Sequence, residues 1–588
     1  MRFGLIGNCS YQALIDDRGC VNWLCWPRFD SSFVFGSLLD SERGGTFSIQ
    51  PAGDDWTSVQ RYVPNTNVLH TRFDTPRGSF ELLDFAPRFS QYERFIKPTM
   101  LIRRLRLICG SPRVRVRCTP VYDYGRLQPN PVISSNHIQW DLGDASLRLT
   151  TDVPLSYVLE SQPFVLARDA DLVLTCGIPL EAPLAETAER FLYATQRYWE
   201  TWVKHLRLPG ICQAEVIRSA LALKLHQFED TGAITASATT SLPEAQGAGR
   251  NWDYRFCWIR DAAFVVGALM KLGHFEELEQ FERYLESIVG NAGATIQPVY
   301  SVSGDASLSE ETLDHLAGFR GNLPVRIGNL AHAQRQHDVY GEMIRSIAPL
   351  FLDLRFRSEP SLARLELIDY LLDGMSRTVG QPDVGLWEKR DKPRVHTFTQ
   401  LMHWSGARTA KRIAESLKDE ARSLRAQAIA DRARTEIEKA WRPAGYFADA
   451  VDTDHVDASL FMMVNLGYLQ ADEPRATRHV RELHARLAAK PHIHLLRRYV
   501  HPDGLGETEV TFTICGFWYA EALARLGEKQ EATQVMEALI RHANHLGLLS
   551  EDIDPRDGSQ WGNFPQSYSH VGLINAAFAI EPWPLALV

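Results

Sequence analysis

The feature that most constrains the fold of this chain is a change in hydrophobic periodicity near Leu180. Before it, short runs alternate polar and apolar residues, as in the strictly alternating Arg113–Arg117. Such runs, divided by turn clusters, predict antiparallel strands, because successive side chains of a strand point to opposite faces. After it, Ala182–His205 places apolar residues at helical spacing and is followed by Pro209-Gly210. The chain therefore divides into an early β region and a later helical region.

These boundaries predict an N-terminal β-sandwich domain over residues 1–181, a helical linker over 182–210 and a helical domain over 211–588. Apolar residues at helical spacing predict further helices over Val216–Phe228, Asp261–Leu272, Glu276–Val289, Leu330–Leu354, Ser361–Met375, Thr397–Leu417, Ala421–Trp441, Val456–Leu469, Thr511–Leu526, Ala532–His545 and His570–Ile580. Roughly a dozen helices with little strand between them favour helix pairs arranged in a ring or array. No short repeat recurs, which favours a closed α/α barrel over a solenoid.

Composition and charge narrow the functional classes. The 588 residues are 45% hydrophobic and 23% charged, which is ordinary for a soluble globular protein and excludes a disordered chain. The net charge of −9 disfavours a nucleic-acid partner, so we expect the arginines of Arg113–Arg117 to form a solvated strand face. No Gly-rich phosphate loop or Gly-x-Ser-x-Gly turn is present, which argues against nucleotide and serine-hydrolase chemistry.

Cysteine usage and the N-terminus predict a cellular location. The nine cysteines form no CxxC pair, so we expect free thiols in a reducing compartment. Met1–Asp16 lacks the basic and apolar regions of a secretory signal. The longest apolar run, Ala262–Met270, has about half the length that a bilayer requires. We therefore expect a cytoplasmic protein with no membrane partner, and we leave homo-oligomerisation open.

The fourteen tryptophans are a high count, and several of them share short segments with acidic residues between the predicted helices. The segments rich in aromatic and charged residues are Asn251–Asp261, Gly385–Glu388, Arg498–Gly504, Leu548–Asp554 and Gly562–Gln566. Aromatic rings stack on the apolar faces of pyranose rings, and arginine and aspartate side chains make directional hydrogen bonds to hydroxyls. Loops of this composition at the ends of helices favour a carbohydrate site, for which we expect neither a metal nor a cofactor.

Two further carboxyl groups would divide the chemistry of a glycosidase. One, kept protonated, donates to the glycosidic oxygen, and the other, ionised, removes a proton from water. Spacing alone leaves simpler roles open: Trp258 as a core aromatic, Asp261 as a helix N-cap, and Glu388 and Glu551 as solvated loop acids.

The chain resembles glycoside hydrolase family 15, the glucoamylase family with its trehalase relatives, over nearly its whole length. The segments that carry the resemblance are Gly4–Asn8, Trp23–Ser31, Gly44-Gly45, Tyr62–Leu69, Asp84–Pro87, Arg250–Asp261, Pro324–Asn329, Gly385–Glu388 and Gly562–Gln566. The resemblance implies an N-terminal antiparallel β-supersandwich followed by an (α/α)6 barrel. It also implies exo-acting hydrolysis of terminal α-linked glucose, with inversion that releases β-glucose.

Site residues follow from the same resemblance, position by position. Glu388 matches the general acid of the family and Glu551 its general base. The remaining matches are to residues that bind the glucose at the non-reducing end: Tyr254, Trp258, Arg260, Asp261, Trp387, Arg498 and Tyr499. Thr399-Gln400 departs from the Ser-Lys that bacterial relatives usually carry, which puts the substrate sub-type in doubt because such positions could line the outer subsites.

Several functions stay open at this point. The leading hypothesis is a glucoamylase-type enzyme acting on an α-glucoside oligosaccharide, and the close alternative is a trehalase or an enzyme for isomaltose or dextran-like linkages. A catalytically silent carbohydrate-binding or sensor protein is the alternative of another class, which the presence of both Glu388 and Glu551 disfavours. A metal-dependent hydrolase using His492 and His494 lacks a third ligand at a characteristic spacing.

Overall fold

A computed structural model describes residues 1–582, except residues 144, 292–294, 357–359, 390–391 and 504–508. The N-terminal part of the chain forms two facing antiparallel sheets. The first contains, in spatial order, Phe3–Gly7, Gln12–Asp16, Cys20–Cys25, Thr46–Pro51, Arg113–Thr119 and Phe164–Val165, with Phe33–Phe35 paired to Cys20–Cys25. The second contains, in spatial order, Pro131–Ile133, His137–Asp141, Ser146–Thr151, Ala170–Cys176, Met100–Gly110, Gly78–Phe85, Leu69–Thr75 and Thr57–Tyr62.

The alternating segment behaves as its pattern predicts. In Arg113–Thr119, Val114 and Val116 are fully buried in the core between the sheets, and the arginines between them are exposed. Because side chains alternate across a strand, the apolar residues share one face and the cations the other. The predicted solvated strand face is confirmed.

Fifteen α-helices lie in the described chain. They are α1 (Leu155–Leu159), α2 (Leu184–Lys204), α3 (Gln213–His226), α4 (Ile259–Lys271), α5 (Glu276–Asn291), α6 (Val339–Ile347), α7 (Pro349–Leu352), α8 (Leu362–Thr378), α9 (Thr397–Ser416), α10 (Glu420–Glu438), α11 (Met462–Asn465), α12 (Pro474–Leu487), α13 (Thr513–Arg525), α14 (Lys529–Ile540) and α15 (Ser567–Ile580). None of these described helices combines the length and the apolar character needed to cross a membrane.

The helices that follow α2 form a double ring. The six inner helices follow one another in the order α4, α6, α9, α11, α13 and α15, and α15 returns to α4. Successive helices are in contact, except that α9 contacts the 3-10 turn Ala458–Phe461, which leads into α11. The outer layer is formed by the helix that precedes each inner helix in the sequence, namely α3, α5, α8, α10, α12 and α14. This arrangement confirms the predicted α/α barrel. The fourth inner helix, α11, is short, because a 3-10 turn over Ala458–Phe461 precedes it and Gly467, with a positive φ of 72°, follows it.

Two sequence predictions of helices are wrong, and two helices, α1 and α12, were not predicted. Leu330–Leu354 is not a continuous helix: a 3-10 turn over Leu330–Ala333, capped by the Asn329 side chain, is separated from α6 by a loop. Val456–Leu469 is helical only over the short segments around α11. Helix α12 was not predicted, because its buried face is narrow and includes His479, and most of its other residues are charged or polar.

Helix α2 contacts both parts of the chain. Near its start, Ala188 and Leu192 pack on Phe85 and other residues of the second sheet. Near its end, Trp199 and Trp202 belong to the apolar core of the barrel, and the Trp202 ring stacks on His274 at a centroid distance of 4.0 Å. The helix therefore buries apolar surface against the sandwich and the barrel together.

Candidate active site

A cavity of about 360 Å³ opens among the loops at one end of the barrel. The predicted site residues that line it are Tyr254, Trp258, Arg260, Asp261, Trp387, Glu388, Arg498 and Tyr499. The structure thus brings together residues that are up to 245 positions apart in the sequence, from Tyr254 to Tyr499. Glu551 is not part of the lining, and its side chain is buried behind this wall, close to Tyr254. Gly504, the end of one predicted segment, lies outside the described residues.

Glu388 is held by donors from two other loops. The Trp258 indole Nε1 donates to Glu388 Oε1 over 2.7 Å, and Gln336 Nε2 donates to the same oxygen over 3.2 Å. The Arg260 guanidinium lies 3.8 Å from that oxygen. Glu388 also adopts a positive φ of 56°, in the left-handed region that non-glycine residues seldom occupy. A strained backbone of this kind persists only where the surroundings fix it, and it is common at functional sites.

Arg260 and Asp261 are positioned by the first turn of α4. Arg260 Nη1 donates to Gln336 Oε1 over 2.6 Å and lies 3.3 Å from Asp338 Oδ2. Asp261 is buried, and burial, opposed by Arg260 and reinforced by Glu388, raises its pKa to about 7. The two side chains point into the cavity as a cation beside a carboxyl group, an arrangement that can hydrogen-bond several hydroxyls of one sugar.

The residue after Glu388 does not face solvent. Lys389 is buried and its Nζ lies 2.8 Å from Asp449 Oδ2. Asp449 is buried, but Lys389 outweighs that burial and lowers the pKa of Asp449 to about 2. The Trp387 ring packs against Tyr499, Phe512 and Trp518 at centroid distances of 5.9–6.2 Å. An ion pair on one side and an aromatic cluster on the other therefore fix the loop that carries Glu388.

Glu551 lies in a fully buried environment. Its Oε2 accepts the backbone N–H of Asn563 over 3.0 Å. Burial, with the Glu244 charge nearby, raises the pKa of Glu551 to about 8, while Arg498, this N–H group and Tyr254 favour its ionised form. Gly562 allows the close approach: its φ is +73°, and a Cβ there would lie 2.5 Å from Glu551 Cβ.

Sequence reasoning missed Glu244 and Gln336. Glu244 lines the cavity and pairs with Arg498. Gln336 bridges Arg260 and Glu388. Neither residue lies in the segments rich in tryptophan and acid, so neither had a local signal. Their roles depend on loops that meet only in the folded chain.

The unusual pair Thr399-Gln400 does not line the cavity. Both residues are buried on α9, where Thr399 Oγ1 donates to Asp383 Oδ2 over 2.9 Å and Gln400 Oε1 accepts the N–H of Gly380 over 3.0 Å. They therefore hold neighbouring loops in place and are not among the residues that line the cavity. Among the described residues, no group of three or more His, Cys, Asp or Glu side chains is arranged to hold a metal ion.

A sandwich joined to a double ring of helices, with carboxyl, aromatic and arginine side chains converging at one end of the ring, defines a glycoside hydrolase architecture. The family model of glycosyl hydrolases family 15 matches residues 210–533 and 527–578, and a trehalase-like N-terminal model matches residues 1–142. The chain belongs to glycosyl hydrolases family 15 and is an O-glycosyl hydrolase.

Similar proteins extend along almost the whole chain. A trehalase of Mycolicibacterium smegmatis is 32% identical over 605 residues, covering 98% of this chain and 90% of that protein. A trehalase of Mycobacterium tuberculosis is 31% identical, covering 98% and 88% respectively. The solved structure of a bacterial glucoamylase complexed with acarbose superposes with a TM-score of 0.67 at 15% identity, covering 98% of this chain and 93% of that one. This likeness confirms the predicted fold.

Proposed function

We propose that this protein is an inverting, exo-acting α-glucoside hydrolase whose substrate is trehalose. Glu388 is the general acid and Glu551 the general base. Tyr254, Trp258, Arg260, Asp261, Trp387, Arg498 and Tyr499 bind the glucose unit that is attacked. The observation that carries the proposal is the arrangement at Glu388, where donors from separate loops converge on one carboxyl oxygen inside a cavity lined by aromatic residues.

The hydrogen bonds at Glu388 indicate which oxygen would carry the proton. Oε1 accepts from Trp258 and from Gln336, so it acts as an acceptor towards the protein. The proton would therefore reside on Oε2, which is the atom placed to donate to the glycosidic oxygen as the bond breaks. The fixed geometry supports this role, because an acid that is already oriented loses little entropy in reaching the transition state.

Glu551 can take the complementary step. Its Oε2 is held by the N–H of Asn563, and among the described residues no donor meets hydrogen-bond geometry at Oε1. Oε1 is therefore the oxygen able to accept a proton from water. The water attacks the anomeric carbon, the bond to the leaving sugar breaks, Glu388 protonates that sugar, and the configuration inverts.

Trehalose is favoured over starch-like substrates by two observations. The relatives that align with nearly the whole chain are named trehalases, from two mycobacteria and from Thermoplasma volcanium. The cavity of about 360 Å³ is at the small end of the range for ligand sites, which suits a short sugar. Maltooligosaccharides, isomaltose and dextran-like chains would share the first glucose site and differ beyond it.

A substrate panel with an anomer assay tests this proposal. Purified protein is incubated with trehalose, maltose, isomaltose and soluble starch, and proton NMR follows the first product. Trehalose joins two α-configured anomeric carbons, so inversion at one of them gives equal amounts of α- and β-glucose. Only α-glucose would mean retention and would overturn the mechanism. Preferential release of glucose from starch would favour the glucoamylase-type alternative.

The Glu388→Gln variant tests the role of the acid. We expect turnover to fall by about 100- to 10,000-fold, because the amide cannot donate a proton to the leaving sugar. Calorimetry should show trehalose binding within a few-fold of wild type. Glu415→Gln, a matched change at a half-exposed position on α9, should retain full activity. Binding without turnover in the wild-type protein itself would indicate the carbohydrate-sensor alternative.

A further inference from the structure

One wall of the cavity consists of alternating buried charges that the reaction scheme above does not use. Glu244 Oε2 accepts a hydrogen bond from Arg498 and lies 3.6 Å from Arg250 Nη1. Arg250 Nη2 in turn donates to both carboxylate oxygens of Asp503, at 2.9 and 2.7 Å. Tyr499 also donates to Asp503, over 2.5 Å. The protein therefore holds this wall in place through its own charges.

Arg498 is the cation of this wall that faces the proposed base. Its guanidinium pairs with Glu244 and interacts electrostatically with Glu551 and Asp552, and Tyr499 is also close. One cation thus serves three buried carboxyl groups. A guanidinium that is engaged by one carboxylate stabilises the negative charge of the others less well, and a like charge nearby disfavours it further.

We propose that Glu244 is a positioning residue that holds the Arg498 guanidinium, repels a negative charge on Glu551, and thereby sets the pH above which Glu551 acts as a base. The proposal rests on the proposed function, in which Glu551 is that base. Glu244 is the nearest carboxylate partner of Arg498, is 98% buried, and comes from a loop separate from that of Glu551.

The other groups around Glu551 act in different directions. Asp552 is the neighbouring carboxyl group, and burial together with Glu551 raises its pKa well above its usual range. Arg250 lies farther along the wall, and the Tyr254 hydroxyl favours the ionised form of Glu551. After burial itself, Glu244 has the largest effect among the neighbours that raise the pKa of Glu551. Removing the charge of Glu244 should therefore ease the ionisation of Glu551 and free Arg498 to pair with it.

The pH dependence of kcat/KM in Glu244→Gln tests the proposal. The acid limb of the profile should move to lower pH by about one unit, the effect expected for loss of a neighbouring like charge. Glu244→Asp keeps the charge, so its acid limb should stay closer to that of wild type. Glu415→Gln, which removes one exposed carboxylate elsewhere, should not move it. If Glu244→Gln lowered activity equally at every pH with the limb unchanged, Glu244 would be a sugar-contacting or packing residue and the proposal would be overturned.

A second readout keeps the test independent of turnover. If the wild-type protein hydrolysed no member of the substrate panel, the proposed function would fail, and the ionisation of Glu551 would instead be followed by thermal unfolding. The Tm difference between Glu551→Gln and its parent is measured from pH 5 to 9, in the wild-type and Glu244→Gln backgrounds. The difference should begin to rise at the same pH in both backgrounds, because the unfolded glutamate titrates alike in both, and it should level off at a lower pH in the second background. Coincident curves would overturn the proposal. Glu244→Ser provides the same loss of charge if the glutamine variant does not fold.

Discussion

The indole N–H of Trp258 donates a 2.7 Å hydrogen bond to Oε1 of Glu388, which lies 130 positions later in the chain. Trp258 is the residue immediately before α4, and Glu388 follows the buried Leu386 and the packed ring of Trp387. The bond therefore connects the start of one inner helix to a loop between α8 and α9. It fixes the carboxyl oxygen that the proposed acid does not use for proton donation.

Replacing Trp258 by phenylalanine tests the value of this hydrogen bond. The variant keeps an aromatic ring in the cavity but removes the donor to Glu388, so the carboxyl group loses its orientation. We expect kcat to fall by about 10- to 100-fold, by analogy with the loss of hydrogen-bond partners that orient metal-binding side chains. Trp441→Phe, at a half-buried ring that packs on Phe447 outside the cavity, should keep wild-type kcat. Unchanged kcat in Trp258→Phe would show that the bond does not orient the acid.

The pH dependence of activity follows from the burial of Glu551. A general base must lose its proton before it can act, and the pKa of this group is raised to about 8. Below that pH, kcat/KM should therefore fall by about tenfold per unit. A steady-state profile between pH 5 and 9 on trehalose checks this expectation. An acid limb near the ordinary pKa of a glutamate would contradict it.

Stability should depend on pH through the same group. The raised pKa means that the folded chain binds the Glu551 proton more tightly than the unfolded chain, whose glutamate titrates near 4.5. Its contribution to stability is full below about pH 4.5 and is lost as the pH rises through about 8. Glu551→Gln stays neutral at every pH, so its Tm should increase relative to that of wild type as the pH rises from 5 to 9. Asp261 titrates in both proteins, so its contribution to the pH dependence cancels when their Tm values are subtracted. A Tm difference that did not vary with pH would contradict the expectation.

Local pattern predicted much of the fold because the long helices carry broad apolar faces. Helix α9 was predicted over Thr397–Leu417 and occupies Thr397–Ser416, and α4 begins two residues before its predicted start. Leu330–Leu354 misled the prediction because it has a helical composition. There the Asn329 cap starts a separate 3-10 turn, and the loop after it brings Gln336 to Arg260 and Glu388. The position of Gln336 therefore depends on tertiary contacts, which no local sequence pattern predicts.

Within the site, residues whose chemistry is contained in one short segment could be predicted from the sequence, and residues whose role depends on distant partners could not. The Trp-x-Arg-Asp segment from Trp258 to Asp261 could be found because its chemistry is concentrated in four positions. Glu244 could not, because its importance comes from Arg498, which is 254 positions away. The raised pKa of Glu551 could not be predicted from the sequence either, since it depends on burial and on charges from other loops.

Gly562 provides a test of how closely the chain packs against Glu551. An alanine there would place Cβ 2.5 Å from Glu551 Cβ and 2.6 Å from its Oε2, so the carboxyl group would have to move. We expect kcat to fall by at least about 100-fold, because a displacement of about 1 Å at a reacting group has this effect. Gly558→Ala is the matched control: its φ is also +73°, but its new methyl group would meet only the ring of His542, at 3.2 Å. Both variants should lose stability through backbone strain, and equal activities would contradict the prediction.

The β-sandwich fixes the loop that carries Tyr254 through the buried guanidinium of Arg255. That group donates to the carbonyl of Ser31 over 2.7 Å, to the hydroxyl of Tyr124 over 3.2 Å, and to Asp253 beside it. Lysine keeps the charge but cannot form this fork of hydrogen bonds, so Arg255→Lys should lower the free energy of unfolding by about 2–3 kcal/mol. It should also lower kcat, because Tyr254 and Trp258 lie on either side of Arg255 in the same loop.

A second arginine connects the same two parts of the chain and gives the matched comparison. Arg126 reaches Glu311 across the boundary over 2.5 Å, but both side chains are substantially exposed. Exposed pairs contribute little, so Arg126→Lys should change stability by less than about 0.5 kcal/mol and leave kcat unchanged. Urea unfolding and steady-state rates on the two variants separate the cases. Equal effects of the two substitutions would mean that the sandwich does not position the active-site loop through Arg255.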